Sequence, residues 1–337
     1  MPDAVEPIRW GILGTAGIAE DSFVPAMRQA GDGVALSVAS RDGARAEAWA
    51  DDHGVTRGVE DYERVVADPE IEAVYVPLPN SLHAEWTVAA LAAGKAVFCE
   101  KPLCATPAET EAVLAAARSA PAPLWEAFVF PFHEQMARVR ELVAAGTIGD
   151  VREIVSRFHF RLDDPNDVRM LAELAGGSIQ DVGCYPIRLA RLLFDDEPDL
   201  ERTIADATWL DTGLDTELWG ALAFPGERRL VFSCGFHTPH DPFTRVLGTA
   251  GEIRMTNPFH PSDADTYTVI AEEGHEEAHV AAPAGLESFT PMIRHIHRVL
   301  RGVEDPRHLA VDDAMGNATA IASLLDAARL RVGGVTG

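Results

Sequence analysis

The fold is decided by the stretch Gly11-Ile12-Leu13-Gly14-Thr15-Ala16-Gly17-Ile18-Ala19. It ends a predicted strand, residues 8–13, and opens a predicted helix, residues 19–30. A dinucleotide-binding fingerprint occurs at this kind of position, between a strand and the following helix, because the pyrophosphate then meets the N-terminus of the helix. Gly14 would form the tight turn, Ala16 replaces the glycine that lets the backbone approach phosphate, and Ala19 is small enough for helix packing. The residues predicted to bind a dinucleotide are Gly14, Thr15, Ala16, Gly17 and Ile18, and a structural turn without a ligand is the alternative.

Outward from this stretch, the first third of the chain alternates short apolar runs with amphipathic segments, which is typical of parallel strands joined by crossover helices. Further strands are predicted over residues 34–40, 71–77 and 96–100, and helices over residues 44–53 and 81–93. Thr106 opens another helix, because Pro107 suits the first helical position and Glu109 completes a capping box. The sequence predicts an α/β Rossmann domain, which binds the dinucleotide, over residues 1–125.

The pattern changes after Asp150. Strands are predicted over residues 151–162, 205–210, 217–224, 229–236 and 266–272, with a turn at Pro225-Gly226. The first of these runs alternates between a mostly apolar and a mostly polar face. Helices are predicted over residues 287–301 and 311–332. We therefore predict an α+β domain with an open, largely antiparallel sheet over residues 126–337, for substrate binding and oligomerisation.

Composition and charge limit the partners. At 337 residues, the chain is long enough for two domains. The formal net charge of −25 repels polyanions, so we expect neither nucleic acid nor an anionic membrane surface as a partner. The first ten residues lack the features of a secretory signal, and no run of about 18 apolar residues occurs. We expect a cytoplasmic location.

The cysteines and histidines do not indicate a metal site. Cys99, Cys104, Cys184 and Cys234 show no paired spacing, which favours buried free thiols over disulfides or a zinc site. The histidines lack the spacing of a metal-binding helix, so we predict no metal.

The cofactor's 2′ position is expected to be read at the end of the second strand, by Ser40 and Arg41. NAD-specific enzymes usually place an acid there to accept from the ribose hydroxyls, whereas an arginine can pair with a 2′-phosphate. NADP(H) is therefore the expected cofactor. Asp42 keeps NAD(H) as an alternative, and Arg41 as a solvated surface charge is the other.

Three further segments resemble the Gfo/Idh/MocA family, named for glucose-fructose oxidoreductase, inositol dehydrogenase and rhizopine catabolism. The segments are Pro77-Leu78-Pro79-Asn80 with His83, Glu100-Lys101-Pro102, and Gly176-Gly177-Ser178-Ile179-Gln180-Asp181-Val182-Gly183-Cys184-Tyr185-Pro186. The combination of the second and third segments is specific, whereas either alone is not. The resemblance covers essentially the whole chain.

The resemblance implies a Rossmann domain, a second domain on an open sheet, and oxidation or reduction of a carbon of a sugar, cyclitol or related polyol. It implies Lys101, Asp181 and Tyr185 as catalytic residues. Many relatives have histidine where Tyr185 stands, and tyrosine occurs in dihydrodiol dehydrogenase-like and sugar 3-ketoreductase members. Pairing through the open sheet, as a homodimer or homotetramer, is also implied. Further cofactor contacts implied by position are Pro77, Leu78, Asn80, His83, Glu100 and Lys101.

The chemistry of hydride transfer also favours these residues as the catalytic ones. Hydride transfer changes the charge on a carbonyl oxygen, so a proton donor and a cation must meet that oxygen. The charge of Lys101 would favour the tyrosinate form of Tyr185. Asp181, four residues earlier, would share a helix face with Tyr185, although Pro186 disfavours an uninterrupted helix. The structural alternatives are a surface lysine, a core tyrosine, an aspartate that caps a helix, and, for His83, a residue that only starts a helix.

The leading hypothesis is an NADP(H)-dependent oxidoreductase that transfers a hydride to or from a carbon of a sugar or polyol. A trans-dihydrodiol dehydrogenase is an alternative within the same family. A non-catalytic, dinucleotide-binding regulatory protein is the alternative from another class. Arg157, Arg161 and Arg169 either line a pocket for an acidic or nucleotide-linked sugar or lie in solvent.

Overall fold

The computed structural model describes residues 6–272 and 274–333, and the chain divides into two compact units. The first unit comprises Met1–Cys104, Ala108–Val129 and Glu287–Ala314, and the second comprises Ala105–Pro107, Phe130–Leu286 and Met315–Gly337. Residues 287–314, predicted to belong to the C-terminal domain, lie in the first unit. The Thr290 hydroxyl group donates to Oε1 of Gln29 across 2.8 Å, which ties this segment to the N-terminal part of the chain.

The first unit is built on six parallel strands in the order β3-β2-β1-β4-β5-β6. Every residue of β4 and β5 is buried, as expected of parallel strands covered on both faces. This order and direction confirm the predicted Rossmann domain. The strands are β1 (Ile8–Leu13), β2 (Gly33–Ser40), β3 (Arg57–Glu60), β4 (Ala73–Val76), β5 (Ala96–Cys99) and β6 (Leu124–Glu126).

Helices connect these strands. A π-helical turn, Ala19–Phe23, leads into the first helix, and the helix after β5 begins at Pro107 as predicted. The sequence analysis missed the third helix, β3 and β6, which are only three to five residues long and show no full period of apolar residues. The helices are α1 (Val24–Ala30), α2 (Gly43–His53), α3 (Tyr62–Val66), α4 (Asn80–Ala92) and α5 (Pro107–Ser119), followed later in the chain by α6 (Glu134–Ala144), α7 (Cys184–Phe194), α8 (Thr290–Leu300) and α9 (Ala310–Gly333).

The second unit contains a sheet of eight strands in the order β14-β13-β12-β11-β7-β10-β9-β8. Only the β7–β10 pair is parallel, so the prediction of a largely antiparallel sheet is confirmed. β8 begins earlier than predicted. Its first residues are mostly polar and lie exposed at the edge of the sheet, so they show no alternation of apolar and polar residues. The strands are β7 (Val151–His159), β8 (Asp199–Trp209), β9 (Asp215–Phe224), β10 (Arg228–Gly235), β11 (Phe243–Gly248), β12 (Gly251–Met255), β13 (Thr266–Ala271) and β14 (Glu276–Val280).

The two faces of this sheet differ. On one face α7 packs against β7 and β10, over buried side chains such as Ile154. The opposite face carries Trp219, which is 50% exposed, Ile204 and Val231. The last two lie opposite Ala221 on its two neighbouring strands, so the apolar side chains form one patch. We call these four residues the open-face patch.

Three further findings concern the cysteines, metal-binding groups and membrane-spanning helices. All four cysteines are buried as free thiols, as predicted. Within the described residues, no group of three or more His, Cys, Asp or Glu side chains is arranged to hold a metal ion. No helix of the described part of the chain has the length and apolar character needed to cross a membrane.

Candidate functional site

The predicted cofactor-binding residues of the first unit follow four parallel strands. Gly14 comes directly after β1, Arg41 after β2, Pro77 after β4 and Glu100 after β5. Because the strands are parallel, their carboxyl ends meet at one edge of the sheet. The strand order reverses between β1 and β4, and open α/β sheets bind ligands outside the carboxyl ends at such a switch point.

The turn after β1 has the shape that a phosphate-binding turn needs. Gly14 has φ +99°, a conformation that side chains disfavour, and a Cβ atom there would lie 3.0 Å from Cδ2 of Leu78. Its N–H group donates to the Ala39 carbonyl oxygen across 2.8 Å, which joins the ends of β1 and β2. The N-terminal N–H groups of a helix carry a partial positive charge, so the start of the helical segment that follows attracts an anion. These residues fit the pyrophosphate of a dinucleotide.

Asp42 acts as the N-cap of α2. Its Oδ1 atom accepts from the N–H groups of Ala44 and Arg45, at 3.0 and 3.3 Å. The sequence analysis kept this carboxylate as a ribose ligand for NAD. In the structure it stabilises the first turn of a helix, a common role of aspartate at this position.

A second arginine lies beside Arg41 and was missed in the sequence analysis. The Arg45 Nε–H group donates to Oγ1 of Thr15 across 2.8 Å. Arg41 bonds to the Tyr62 hydroxyl group; burial raises the pKa of Tyr62, and the charges of Arg41 and Arg45 partly oppose that rise. Arg45 therefore reaches the glycine turn, and both guanidinium groups lie near Tyr62. The sequence feature that could have identified Arg45 is its position in the first turn of the helix that follows β2.

The Lys101 loop is held by buried carboxylates. Glu100 accepts from the Tyr75 hydroxyl group at 2.6 Å and from the Lys101 N–H group at 3.2 Å. Oε1 of Glu126 accepts from the Leu103 N–H group at 2.8 Å. The Lys101–Pro102 peptide bond is cis. Glu126 supports the loop from the neighbouring strand, which no local sequence pattern indicated.

His83 connects two of the loops. Its side chain is fully buried, with Nδ1 at 2.9 Å from the Pro102 carbonyl oxygen and Nε2 at 2.7 Å from the Leu78 carbonyl oxygen. Burial lowers the pKa of His83, the contacts with backbone carbonyls oppose this, and the charge of Lys101 adds to it. The structure gives His83 a role in holding the Leu78 and Lys101 loops, while the predicted contact with the cofactor stays a prediction.

Asp181 and Tyr185 lie on one continuous helical segment of the second unit. A π-helical turn, Ile179–Gly183, runs directly into α7. Pro186 is the third residue of α7 and comes just after the π-helical turn, so the segment accommodates the proline where its hydrogen-bond ladder is already irregular. Asp181 also pairs with Arg169, whose Nε lies 3.1 Å from its Oδ2, and this carboxylate raises the pKa of Arg169.

The start of that segment is held by hydrogen bonds to Asp215, the first residue of β9. Oδ2 of Asp215 accepts from the Ser178 hydroxyl group at 2.6 Å and from the Ile179 N–H group at 2.8 Å. Asp215 is buried, and burial raises the pKa of its carboxyl group. Gly177 has φ +111°, and a Cβ atom there would lie 2.5 Å from Oδ1 of Asp215. The glycine pair thus lets this carboxylate reach the backbone.

Tyr185 lies among aromatic rings. It is 4% exposed, and its ring centroid is 5.4 Å from that of Phe158 and 5.2 Å from that of Phe259. Its hydroxyl oxygen lies 3.1 Å from Nε2 of His260. This histidine was also missed in the sequence analysis, because it comes 75 residues later in the chain.

Family models match both parts of the chain. Residues 8–128 match the model of an oxidoreductase family with an NAD-binding Rossmann fold, and residues 136–254 match the Gfo/Idh/MocA C-terminal domain. The chain belongs to the Gfo/Idh/MocA oxidoreductase family. The resemblance inferred from the sequence is therefore confirmed.

This Gfo/Idh/MocA oxidoreductase is similar to characterised proteins over most of its length. It is 38% identical to a D-xylose 1-dehydrogenase (NADP⁺) of Haloferax volcanii, over 88% of this chain and 90% of the relative. It is 40% identical to a dTDP-3,4-didehydro-2,6-dideoxy-α-D-glucose 3-reductase of Saccharopolyspora spinosa, over 89% and 91% of the two chains. A 3-ketoreductase from Actinomadura kijaniata, solved with NADP and TDP-benzene, superposes with a TM-score of 0.85 at 29% identity, over 96% of this chain and 98% of that chain.

Proposed function

We propose that this protein is an NADP(H)-dependent oxidoreductase that moves a hydride to or from a carbon of a sugar or polyol. The observation that carries the cofactor preference is the contact of Arg45 with Thr15, beside Arg41 and the Gly14 turn. Guanidinium groups pair with a 2′-phosphate through charge-assisted hydrogen bonds. Asp42, the acid that would favour NAD(H), is engaged as a helix cap. The named relatives act on sugars and support the substrate class.

The catalytic residues of this proposal are Lys101, Tyr185 and Asp181. The bound nicotinamide donates or accepts the hydride. Tyr185 exchanges a proton with the substrate oxygen, and the ammonium group of Lys101 stabilises negative charge that develops there. Asp181, paired with Arg169, keeps its segment of the helix in place. The bonds from Glu100 and His83 hold the loop that carries Lys101.

Within the sugar class, we propose a neutral sugar rather than a nucleotide-linked one. A diphosphate needs cationic side chains whose charge is not already compensated. Arg157 is paired with Asp241, and Arg169 is paired with Asp167 and Asp181. Two of the three arginines considered as diphosphate ligands are thus neutralised.

The experiment is a spectrophotometric panel that follows NADPH oxidation and NADP⁺ reduction with aldoses, ketosugars, inositols, dihydrodiols and a dTDP-linked ketosugar. We expect turnover with a free aldose or polyol, and weaker or no turnover with the nucleotide-linked sugar. Turnover of a dihydrodiol alone would move the assignment to trans-dihydrodiol dehydrogenase. Tight NADPH binding without turnover of any compound would favour the non-catalytic alternative.

We propose a homodimer formed through the open-face patch, and a homotetramer built from such dimers is the alternative. A half-exposed tryptophan beside Ile204 and Val231 is the kind of apolar surface that a partner covers. The cytoplasmic location stays a prediction.

A further inference from the structure

The Tyr185 hydroxyl group contacts a residue outside the predicted catalytic set. Nε2 of His260 lies 3.1 Å from its oxygen, within hydrogen-bond distance, and the two rings are tilted by 69°. Both residues belong to the second unit. We propose that His260 is a positioning residue that orients the Tyr185 hydroxyl group and connects it to solvent for proton exchange. This inference rests on the proposed function, in which Tyr185 exchanges a proton with the substrate.

The burial of the two side chains explains why such a connection is needed. Tyr185 is 4% exposed and is packed edge-on by Phe158 and at a tilt by Phe259, so little of its surface meets water. A phenol that gives up a proton in each turnover must recover one. His260 is only half-buried, so this residue, unlike Tyr185, keeps contact with solvent.

The loop that carries His260 is fixed through its backbone. Oδ1 of Asn257 accepts from the His260 N–H group at 3.1 Å, and Nδ2 of Asn257 donates to the His260 carbonyl oxygen at 2.7 Å. Oδ2 of Asp265 accepts from the N–H and hydroxyl groups of Ser262 at 2.8 and 2.7 Å. Because none of these bonds uses the imidazole, substitution of His260 leaves the loop's supports in place.

The proton balance is complete with residues of this chain and water. In the reducing direction, the O–H bond of Tyr185 breaks as its proton bonds to the oxygen of the new alcohol. The phenolate then takes the proton from Nε2 of His260, and the imidazole recovers one from solvent. In the oxidising direction each transfer is reversed. Imidazole suits this role because its unperturbed pKa of about 6.5 allows both forms near neutral pH.

Other titratable groups of the second unit near this pair have separate contacts. Asp265 bonds to Ser262 and lies 3.4 Å from Nδ2 of Asn257. His240 packs edge-on against Phe158, with ring centroids 5.9 Å apart. The variants His240→Gln and Asp265→Asn distinguish the effect of these two groups from that of His260.

The first test observes Tyr185 directly and does not depend on activity. The chain contains four tyrosines, so full-length protein labelled with ¹³Cζ-tyrosine gives four resonances, and Tyr185→Phe assigns one of them. We expect the Tyr185 resonance to follow a histidine titration, with and without NADP⁺, and to lose that response in His260→Gln. The matched control is His279→Gln, because His279 stacks on Tyr267 with ring centroids 4.8 Å apart. It should alter only the Tyr267 resonance.

The second test uses turnover. We expect His260→Ala to lower kcat by about 10- to 100-fold, at or below the lower range for positioned acid–base groups, with KM changed by less than about twofold. Added imidazole should restore part of kcat in His260→Ala but not in Tyr185→Phe. A purely structural loss would not be rescued.

The outcomes separate this inference from the proposed function. If the wild type turns over no compound of the panel, the proposed function fails. If the wild type is active, and His260→Gln leaves the Tyr185 titration unchanged or His260→Ala keeps wild-type kcat, the His260 inference alone is overturned. Loss of kcat without imidazole rescue also overturns it.

Discussion

Arg45 donates its Nε–H to the hydroxyl oxygen of Thr15 across 2.8 Å, which places a guanidinium group of α2 beside the glycine turn that follows β1. A single charge-assisted hydrogen bond is worth about 1.5–3 kcal/mol. We therefore expect Arg45→Ala to weaken NADP(H) binding by about tenfold or more and to leave NAD(H) binding nearly unchanged. Fluorescence titration with both reduced cofactors measures the two affinities.

Arg41→Asp is expected to act in the same direction and more strongly, since it removes one 2′-phosphate partner and adds repulsion. Arg64→Ala is the matched control, because it removes an exposed arginine of the neighbouring helix α3. A wild-type protein that already binds NAD(H) more tightly would show that the two arginines do not read a 2′-phosphate.

The catalytic assignment predicts a loss of turnover without a loss of cofactor. Tyr185→Phe should lower kcat by about 10²–10⁴-fold, because the positioned proton donor is removed. Lys101→Ala should be similarly damaging, because the cation that stabilises the developing alkoxide is lost. Steady-state kinetics and cofactor titration separate the two effects. Tyr267→Phe, in the hairpin of β13 and β14, is the control.

A loss in the lysine variant alone would assign proton transfer to Lys101. Tyr185 would then have a packing or substrate-binding role, and the ion pair of Asp181 with Arg169 would become the next arrangement to examine.

The stability of the first unit should depend on pH through His297. Nε2 of His297 accepts from the Trp10 indole N–H group at 2.8 Å, and Nδ1 bonds to Asp32, so the imidazole is held neutral. Burial lowers its pKa below 6.5, and Asp32 partly opposes this. A lowered pKa means that the unfolded chain binds the proton first. The stabilisation is therefore complete above pH 6.5 and is lost as the pH falls through this value towards the lower pKa of the folded state.

Denaturant unfolding between pH 5 and pH 8 measures this effect, with a contribution to the slope of at most about 1.4 kcal/mol per pH unit from one proton. His297→Gln should reduce the slope, whereas His275→Gln, at an exposed position, should not. Burial also lowers the pKa of His83 and His295, so part of the slope should remain. An unchanged slope in His297→Gln would contradict the neutral assignment.

The open-face patch predicts a change of oligomeric state. Trp219→Arg places a charge within the patch and should weaken the proposed dimer by about 2 kcal/mol or more, the scale of an interface hot spot. Light scattering at micromolar concentration should show a dimer for the wild type and a monomer for the variant. Val303→Arg is the control, because Val303 is an exposed apolar residue of the other unit. A monomeric wild type would refute the proposal.

Local patterns were sufficient where the determining contacts are close in sequence. The predicted strand over residues 8–13 matches β1, and the proline at the start of α5 was read correctly. Pro186 was the exception within a local segment. It disfavoured a shared helix for Asp181 and Tyr185, whereas the structure places both on one continuous helical segment, with Pro186 just after the π-helical turn, where the hydrogen-bond ladder is already irregular.

Asp42 shows how one residue type supports two local interpretations. An aspartate after β2 is compatible with a ribose contact and with a helix cap. The choice depends on where α2 begins, and the N–H groups of Ala44 and Arg45 decide it. Arg45 was not identified from the sequence, because its partner Thr15 lies 30 residues away, at the end of another strand.

By itself, the sequence determined the Rossmann unit, the open-sheet unit and the family, since these follow from the periodicity of apolar residues and from short motifs whose residues are neighbours in the chain. Only the tertiary structure decided which side chains meet: Arg45 with Thr15, His83 with the Leu78 and Pro102 carbonyls, and His260 with Tyr185. These contacts join residues on different strand ends and loops. Their formation depends on how the sheets bring those ends together, which no local pattern of residues encodes.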